Sequence, residues 1–261
     1  MRALWALILL VGVLFFPGGQ AVPPESAQRI VITSADELRA LSRRVSLGDS
    51  LFGRTVTLES DLENVGYFLP IGSALHPFEG TFEGNGHVIS GLTVDGYLPC
   101  SGLFGCVGKA GLVRGLNLSD SLVTGRRYTG ALAGYCAGRI ENCRVQSSRV
   151  RSLGEGDGVF AGALTGALTG PVRACEAAEC AVEGTGELGG LIGRLYAGSA
   201  RLCRFEGRTD GQPMRAVFSA RAQDSPRALP EQRADSLRAP QYLALPAAPK
   251  QPAAEKRRRL P

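Results

Sequence analysis

Four side chains capable of acid–base chemistry fall within one short stretch of the chain: Glu79, Glu83, His87 and Asp95. Polysaccharide lyases and glycoside hydrolases use clusters of this kind, because paired carboxylates protonate a leaving oxygen and activate the attacking group. The turn signal Asn85-Gly86 lies inside the stretch, so Glu83 can bond backbone groups at the turn and His87 can begin a strand. We therefore expect structural roles here, and an enzyme that uses Glu83 and Asp95 on a carbohydrate is the alternative.

The sequence lacks the patterns of several other catalytic and cofactor sites. A zinc peptidase needs two histidines one helical turn apart with a glutamate between them. The two histidines of this chain, His76 and His87, are eleven residues apart. There is no GxSxG elbow for a serine nucleophile, no P-loop Lys-Ser/Thr after a glycine motif and no C-x-x-C pair for structural zinc. The sequence therefore predicts no catalytic residues, no cofactor and no metal site.

Arginines and tyrosines in the middle of the chain suggest binding by a surface. They are Arg114, Arg139, Arg144, Arg149, Arg151 and Arg173, with Tyr128 and Tyr135. Arginine forms bidentate hydrogen bonds and stacks on rings, so this mixture can contact glycans or proteins. The alternative for each of these residues is that it is an ordinary solvent-exposed side chain that contacts no ligand.

A sequence repeat sets the elements that would position these side chains. Four glycine motifs recur, GLFG at residues 102–105, GALAG at 130–134, GALTG at 162–166 and GGLIG at 189–193, and their closing glycines are 29, 32 and 27 residues apart. A second set of equivalent segments, which we call the second column of the aligned repeats, follows the glycine motifs: VRGL at residues 113–116, IENC at 140–143, VRAC at 172–175 and ARLC at 200–203. A period of this length indicates a solenoid. Such short strands bury a face only by stacking coil on coil at about 4.8 Å, as in a parallel β-helix, with glycine at the corners.

These motifs resemble the GLUG-motif repeats of bacterial secreted and surface proteins. The resemblance covers about residues 30–205 and rests on FEGTFEGNGHVISGLTV (residues 78–94), the glycine motifs, GLVRGLNL, the I-x-N-C unit, and the upstream segments ITSADELRAL (32–41), TVTLESDLEN (55–64) and LPIG (69–72). The Asn expected before the last residue of each second-column segment is present as Asn142, with Gly115, Ala174 and Leu202 at the equivalent places. Repeats of this family occur in large adhesins and in immunoglobulin-cleaving metallopeptidases, where they are not the catalytic part.

Seven cysteines are present, and three of them recur at the inward position of successive coils: Cys143, Cys175 and Cys203. A stacked column of small apolar side chains explains these three, because free cysteine packs as a small hydrophobe. Disulfides are the alternative in an oxidising compartment. Cys106 and Cys136 could meet across neighbouring coils, whereas Cys100 and Cys180 lie in less regular segments. An odd count leaves at least one thiol unpaired, and the pairing is open.

The two ends of the solenoid differ in how they can be closed. Ser34 precedes a helix pattern with Glu37 placed for a capping box, and Leu38, Leu41 and Val45 share one face. This helix would cover the first coil. The far end is closed either by the segment at residues 213–222 or not at all.

The ends of the chain have their own composition. Arg2 precedes an apolar run at residues 4–16 that is too short to span a bilayer, which predicts a signal peptide cleaved near Ala21. Residues 208–261 hold 11 Lys and Arg against 5 Asp and Glu, are rich in proline and lack an apolar period, which predicts a disordered tail. We interpret its terminal EKRRRLP as solvated charge, not as a nucleic-acid contact.

The sequence as a whole predicts an all-β protein, a right-handed parallel β-helix with a short N-terminal capping helix and a disordered C-terminal tail. The expected divisions are a signal peptide at 1–21, a lead-in with the capping helix at 22–66, GLUG-type repeats at 67–207 and the tail at 208–261. By family analogy, we expect an exported, non-enzymatic, adhesin-like interaction module at the cell surface or outside it, or in the periplasm. Its ligand would be a glycan or protein, with no stable membrane insertion after signal cleavage. The alternatives are a carbohydrate-active enzyme and a remnant of a larger surface protein.

Overall fold

A computed structural model describes residues 29–210 and 212–214, and the statements below concern these residues. The elements in chain order are β1 (Arg29–Ile32), α1 (Ala35–Ser46), β2 (Thr55–Leu58), β3 (Gly66–Tyr67), β4 (Thr81–Glu83), β5 (Val88–Ser90), β6 (Leu92–Val94), β7 (Cys100–Ser101), β8 (Phe104–Val107), β9 (Leu112–Arg114), β10 (Asn117–Ser119), β11 (Leu122–Gly125), β12 (Tyr128–Gly130), β13 (Ala133–Cys136), β14 (Arg139–Glu141), β15 (Arg144–Gln146), β16 (Arg149–Ser152), β17 (Phe160–Gly162), β18 (Thr165–Leu168), β19 (Pro171–Arg173), β20 (Glu176–Gly184), β21 (Glu187–Gly189), β22 (Ile192–Leu195), β23 (Ser199–Arg201), β24 (Arg204–Thr209) and β25 (Gln212–Met214).

The strands stack as a parallel β-solenoid of about six turns. One sheet has the order β1-β2-β4-β9-β14-β19-β23, and two four-stranded sheets have the orders β7-β12-β17-β21 and β8-β13-β18-β22. The ten remaining strands form one sheet, in the order β3-β6-β11-β16-β20-β15-β10-β5, with β24 paired to β20 and β25 to β24. Its long strand β20 pairs with both β15 and β16. The predicted parallel β-helix with a short N-terminal helix is confirmed.

The core consists of columns of equivalent side chains, one from each coil. In the first sheet, Phe82 pairs with Val113, Val113 with Ile140 and Ile140 with Val172, and all are buried. The leucines of the glycine motifs form another fully buried set: Leu103, Leu132, Leu164 and Leu191. Burying one such side chain contributes about 2 kcal/mol, so the repeat is also the main source of stability.

The glycines of the repeat motifs let two strands of the coil approach closely. A Cβ on Gly134 would lie 2.6 Å from the backbone nitrogen of Ser101 and 2.7 Å from the backbone oxygen of Tyr128. Real Cβ atoms do not approach that closely, so a side chain here would force the strands apart. The strand after the motif therefore packs directly against the strand before it.

The third residue of each second-column segment lies at a corner that needs a left-handed backbone. Gly115, Asn142, Ala174 and Leu202 have φ of 63°, 53°, 52° and 56° at equivalent places. Glycine, and to a lesser degree asparagine, adopts this conformation without the cost that a Cβ brings to other residues, about 1–2 kcal/mol. This requirement explains why asparagine suits the position, and it makes Ala174 and Leu202 strained.

The helix α1 begins with the predicted capping box. Ser34 Oγ accepts a hydrogen bond from the Glu37 backbone nitrogen at 3.3 Å, and Glu37 Oε2 accepts one from the Ser34 backbone nitrogen at 3.2 Å. Its buried face consists of Leu38, Leu41, Ser42 and Val45, and the three apolar members belong to the solenoid core. Ser42 Oγ also donates to the backbone oxygen of Leu69 at 2.6 Å, which fastens the helix to a neighbouring coil.

The parallel stack extends beyond the repeat segment at both ends. Strand β1 pairs with β2, so residues inside the lead-in at 22–66 already form a coil. Strand β24 runs to Thr209, and β25 pairs with it antiparallel, so the first residues of the expected closing segment at 213–222 lie against the last coil. Residues 1–28 and 215–261, which include the predicted signal peptide and most of the predicted tail, lie outside the described residues. Within the described part, no helix has the length and apolarity needed to span a membrane.

Replacing Ser34 with alanine removes the acceptor for the first turn of α1. We expect the free energy of unfolding to fall by about 1 kcal/mol, because an orphan backbone N–H loses its partner. Chemical denaturation of Ser34→Ala beside Ser34→Asp measures this, since aspartate keeps a capping oxygen. Equal losses in the two variants would contradict the capping role.

Replacing Ala174 with glycine relieves the left-handed strain at its corner. We expect Ala174→Gly to raise the free energy of unfolding by about 0.5–1 kcal/mol, the strain relieved less the entropy that glycine costs. The same change at Ala177, fully buried in β20, should lower it by about 1 kcal/mol or more. Denaturation curves for the two variants should therefore shift in opposite directions, and shifts in the same direction would argue against strain at Ala174.

Candidate binding surface

Two columns of side chains flank the glycine motifs and face each other. We call these the facing columns. Backbone register places Cys100, Tyr128, Phe160 and Glu187 in the first column and Cys106, Tyr135, Ala167 and Arg194 in the second. Contacts between the columns follow from the close approach of the strands at the motif glycines.

Four rings form a continuous aromatic cluster on and beside the facing columns: Tyr128, Tyr135, Phe160 and Tyr196. Tyr128 and Phe160 stack with ring centroids 5.9 Å apart and planes 11° from parallel. Tyr135 lies 5.8 Å from Tyr128, and Tyr196 meets the Phe160 ring edge-on at 5.7 Å. Phe160 and Tyr128 stack because parallel strands place equivalent residues one strand spacing apart.

Arginines lie over these rings and complete the surface. The Arg194 guanidinium is 5.8 Å from the centroids of both Phe160 and Tyr196, and that of Arg127 is 5.7 Å from the centroid of Tyr128. Arg194 Nη1 also donates to both carboxylate oxygens of Glu187, at 3.0 and 2.8 Å. Cation–π contacts and this ion pair hold the arginine in place, so the surface is ordered without a ligand.

Exposure across the aromatic cluster is graded. Phe160 is 5% exposed and acts as its floor, whereas Tyr196 is 44% exposed and forms its outer edge. Tyr135 hydroxyl and Thr169 Oγ1 are 3.2 Å apart, a hydrogen bond that orients the half-buried ring. Burial raises the pKa of Tyr135, and burial together with the neighbouring Tyr128 raises the pKa of Tyr196 to about 12. Both hydroxyls therefore stay protonated through the physiological range and can donate a hydrogen bond to a ligand.

The four predicted acid–base residues have separate partners. Glu79 accepts a hydrogen bond from the Ala110 backbone nitrogen at 2.8 Å, and Asp95 accepts one from the Gly96 backbone nitrogen at 2.7 Å. His87 Nδ1 is 2.9 Å from Asp61 Oδ1. These contacts are local or reach an adjacent coil, and they account for all three side chains structurally.

Glu83 bonds differently from the expectation. Its carboxylate accepts from Arg114 Nε on the next coil, with both oxygens at 2.6 Å, and not from backbone groups at the turn. The expectation was wrong because the register of the first sheet places Glu83 directly beside Arg114. Among residues 29–210 and 212–214 there is no group of three or more His, Cys, Asp or Glu side chains that could hold a metal ion.

The predicted surface arginines fall into two groups. Arg114, Arg144 and Arg149 pair with glutamates of adjacent coils, Arg144 with Glu176 at 3.0 Å and Arg149 with Glu183 at 3.8 Å. The other three, Arg139, Arg151 and Arg173, are exposed. Exposed pairs of this kind contribute between 0 and about 1 kcal/mol each. Their main effect is to alternate charge along the outside of the solenoid.

Sequence reasoning found Tyr128 and Tyr135 and missed the rest of the aromatic cluster. Phe160 precedes Gly162 by two residues, as Tyr128 precedes Gly130, and Arg194 follows Gly193 directly, as Tyr135 follows Gly134. Aligning the glycine motifs would therefore have placed Phe160 and Arg194 on this surface. Tyr196 lies after β22 and has no such signal.

All seven cysteines are free thiols. The predicted column of Cys143, Cys175 and Cys203 is confirmed: each Sγ contacts the carbonyl two residues before it and a carbonyl of the preceding coil. Cys106 and Cys136 are not opposite each other, because Cys106 is in register with Tyr135 and Cys136 with Val107. Burial raises the pKa of Cys136 to about 12, so its thiol is protonated and unreactive.

No protein-family model matches the chain. Halomucin from Haloquadratum walsbyi is 38% identical over 90 residues, which cover 34% of this chain and 1% of halomucin. A protein of Evansella cellulosilytica described as "Putative Gly-rich membrane protein" is 40% identical over 84 residues, which cover 30% of this chain and 9% of that protein. The matches thus span a small part of each relative.

A solved structure also aligns with the chain. It is described as a "putative immunoglobulin A1 protease" from Bacteroides ovatus, and it aligns over 72% of this chain and 79% of that chain with a TM-score of 0.42 and 18% identity. The GLUG assignment of this chain stays a prediction.

The raised pKa of Tyr196 predicts a pH dependence of stability. The unfolded side chain ionises near its ordinary value of about 10, whereas the folded one ionises at about 12, so folding is progressively disfavoured as the pH rises between these values. A difference titration by ultraviolet absorbance, wild type against Tyr196→Phe, isolates this group. A difference midpoint near pH 10 would show that the ring hydroxyl is not held in the aromatic cluster.

Proposed function

We propose that this chain is an exported, non-enzymatic interaction module of the adhesin-like type, and that it binds a glycan or protein ligand through the aromatic cluster. The observation that carries this proposal is the ordered set of three stacked or edge-packed rings, Tyr128, Phe160 and Tyr196, with Arg194 over two of them. Tyrosine and arginine are the residue types that most often dominate binding energy at interfaces.

Pre-ordering favours this surface over the rest of the solenoid. Binding normally costs about 0.5–1.5 kcal/mol for each flexible side chain that is immobilised. Here Glu187 and the rings already fix Arg194, and the Thr169 contact fixes Tyr135. A ligand that covers Tyr196 therefore gains apolar contact and hydrogen bonds at a reduced entropic cost.

The arginines of other faces that have no ion pair with a described residue are a weaker candidate. Arg139 and Arg173 lie on the first sheet and Arg151 on the ten-stranded sheet, so they do not converge. Neighbouring glutamates neutralise much of the remaining basic charge. A single anionic ligand would find no concentrated positive site there.

The relatives support a position at the cell surface. One of them is described as a membrane protein. The apolar N-terminal run that predicts a signal peptide supports export. Because the matches span 1% and 9% of those proteins, the remnant of a larger surface protein stays an alternative for the chain as a whole.

A non-enzymatic role is supported by the separate partners of the acid–base residues. Glu83 is neutralised by Arg114, and His87 and Asp61 pair with each other. General acid–base catalysis on a glycoside needs two carboxyl groups facing one substrate. The carbohydrate-active enzyme would have to break the Glu83–Arg114 pair to free one of them.

We expect Tyr196→Ala to weaken ligand binding about tenfold or more, equivalent to at least about 1.4 kcal/mol. The measurement is a screen of the chain against glycan arrays and host matrix proteins, followed by titration of each binder. Tyr97→Ala is the matched control, because Tyr97 is 82% exposed and lies outside the aromatic cluster. Equal affinities for the two variants would remove the aromatic cluster from the proposal.

The same screen tests the enzyme alternative. Acidic polysaccharides and other glycans are incubated with wild type and Glu83→Gln, and the products are separated by chromatography. Binding without product supports the interaction module. Product formed by the wild type and lost in Glu83→Gln would establish the enzyme instead.

A further inference from the structure

Cys100 and Cys106 occupy facing positions on the first of the coils that carry a glycine motif. Cys100 lies in β7 and Cys106 in β8, and register places them one coil before Tyr128 and Tyr135. The Cys100 side chain lies near enough to Cys106 to raise the pKa of that thiol. Cys100 is 8% exposed and Cys106 4% exposed, so the pair lies just below the surface.

The geometry of the facing columns explains this proximity. At the equivalent places of later coils, the rings of Tyr128 and Tyr135 are 5.8 Å apart, and Glu187 and Arg194 form an ion pair at 2.8 Å. A Cβ on Gly105 would lie 3.4 Å from the Cys100 backbone oxygen, which shows how near β7 and β8 run. Two cysteine side chains are short, and they meet here because the backbones are close.

The stacked cysteines of the core have a different geometry. Cys143, Cys175 and Cys203 follow equivalent strands on successive coils, so the strand spacing of about 4.7–4.9 Å separates neighbours. A disulfide has a Cβ–Cβ separation of about 3.5–4.5 Å, slightly less than this spacing, and Cys143 lies near enough to Cys175 to raise the pKa of that thiol. Cys100 and Cys106 are not held at a strand spacing, because β7 and β8 belong to different sheets. The peptide assay below distinguishes the two pairs.

We propose that Cys100 and Cys106 form an intrachain disulfide in an oxidising environment, with a low-molecular-weight disulfide such as oxidised glutathione as the oxidant. The Cys100 thiolate attacks one sulfur of the oxidant, forms a mixed disulfide and releases one glutathione thiolate. Cys106 then attacks the Cys100 sulfur, forms the intrachain bond and releases the second glutathione. The two cysteine protons end on the two released thiols, so two electrons pass from the pair to the oxidant.

The order of attack follows from the surroundings of the two thiols. The neighbouring Cys100 side chain, together with burial, raises the pKa of Cys106 well above its ordinary value, so Cys106 is a poor first nucleophile. Cys100 is the more exposed of the two. Once formed, the bond joins the two strands one coil before Tyr128 and Tyr135 and fixes the spacing of the facing columns there. This inference does not depend on the proposed binding function.

Trypsin gives a direct assay, because residues 55–109 contain no internal Lys or Arg and hold Cys100 and Cys106 as their only cysteines. The folded full chain is incubated with oxidised glutathione, the remaining thiols are alkylated in denaturant, and the digest is analysed by mass spectrometry without reduction. We expect the 55–109 peptide to lose two hydrogen atoms and to take up no alkylating agent. The peptides that carry Cys143 and Cys203 should be alkylated.

Two variants serve as controls. Cys106→Ser should leave Cys100 alkylated or glutathionylated, and Cys203→Ser, which alters the half-buried end of the core column, should form the bond as the wild type does. Double alkylation of the wild-type 55–109 peptide after oxidation would overturn the proposal. So would a bond from either cysteine to another peptide, or a bond that forms only when the oxidant is added to the unfolded chain.

Discussion

In-register stacking of very short strands is the constraint on which the rest of this structure depends. A strand of three or four residues buries too little surface to be stable alone, so each coil must lie on the next with equivalent residues one strand spacing apart. Each side chain therefore lies beside the equivalent side chain of the adjacent coil, which is either of the same type or complementary to it. In the core, apolar side chains stack on one another: Phe82, Val113, Ile140 and Val172. On the outside, Glu83 forms an ion pair with Arg114 of the adjacent coil.

The glycine motifs bring the two facing columns together and so form the candidate binding surface. Because Gly134 and its equivalents bring two strands of the coil into backbone contact, the residues on either side of each motif face each other. The identity of each facing pair then decides what that coil offers. Tyr128 with Tyr135 gives rings, Glu187 with Arg194 gives a fixed charge pair, and Cys100 with Cys106 gives two thiols. The same close approach of two strands therefore places three different kinds of side-chain pair opposite each other along the solenoid.

The outer faces show why this surface stands apart from the others. Elsewhere, arginines pair with glutamates of adjacent coils and form a screened surface of alternating charge. The acid–base residues that suggested catalysis are held in the same way, Glu83 by Arg114 and His87 by Asp61. At the aromatic cluster, Glu187 and the rings hold Arg194 in place, and Tyr196 remains partly exposed.

The sequence by itself determined the solenoid, its capping helix and the buried cysteine column, because a repeat period and an apolar alternation are local patterns that have one stable way to stack. It also pointed to the corner at Gly115 and Asn142 in the second-column segments, where the backbone is left-handed. Tertiary structure alone decided the partner of Glu83, the position of Tyr196 beside Phe160 and Arg194, and the proximity of Cys100 to Cys106. These contacts depend on the register between coils and on the distance between two strands at the motif glycines. The spacing of residues along one segment of the chain does not give the register or that distance.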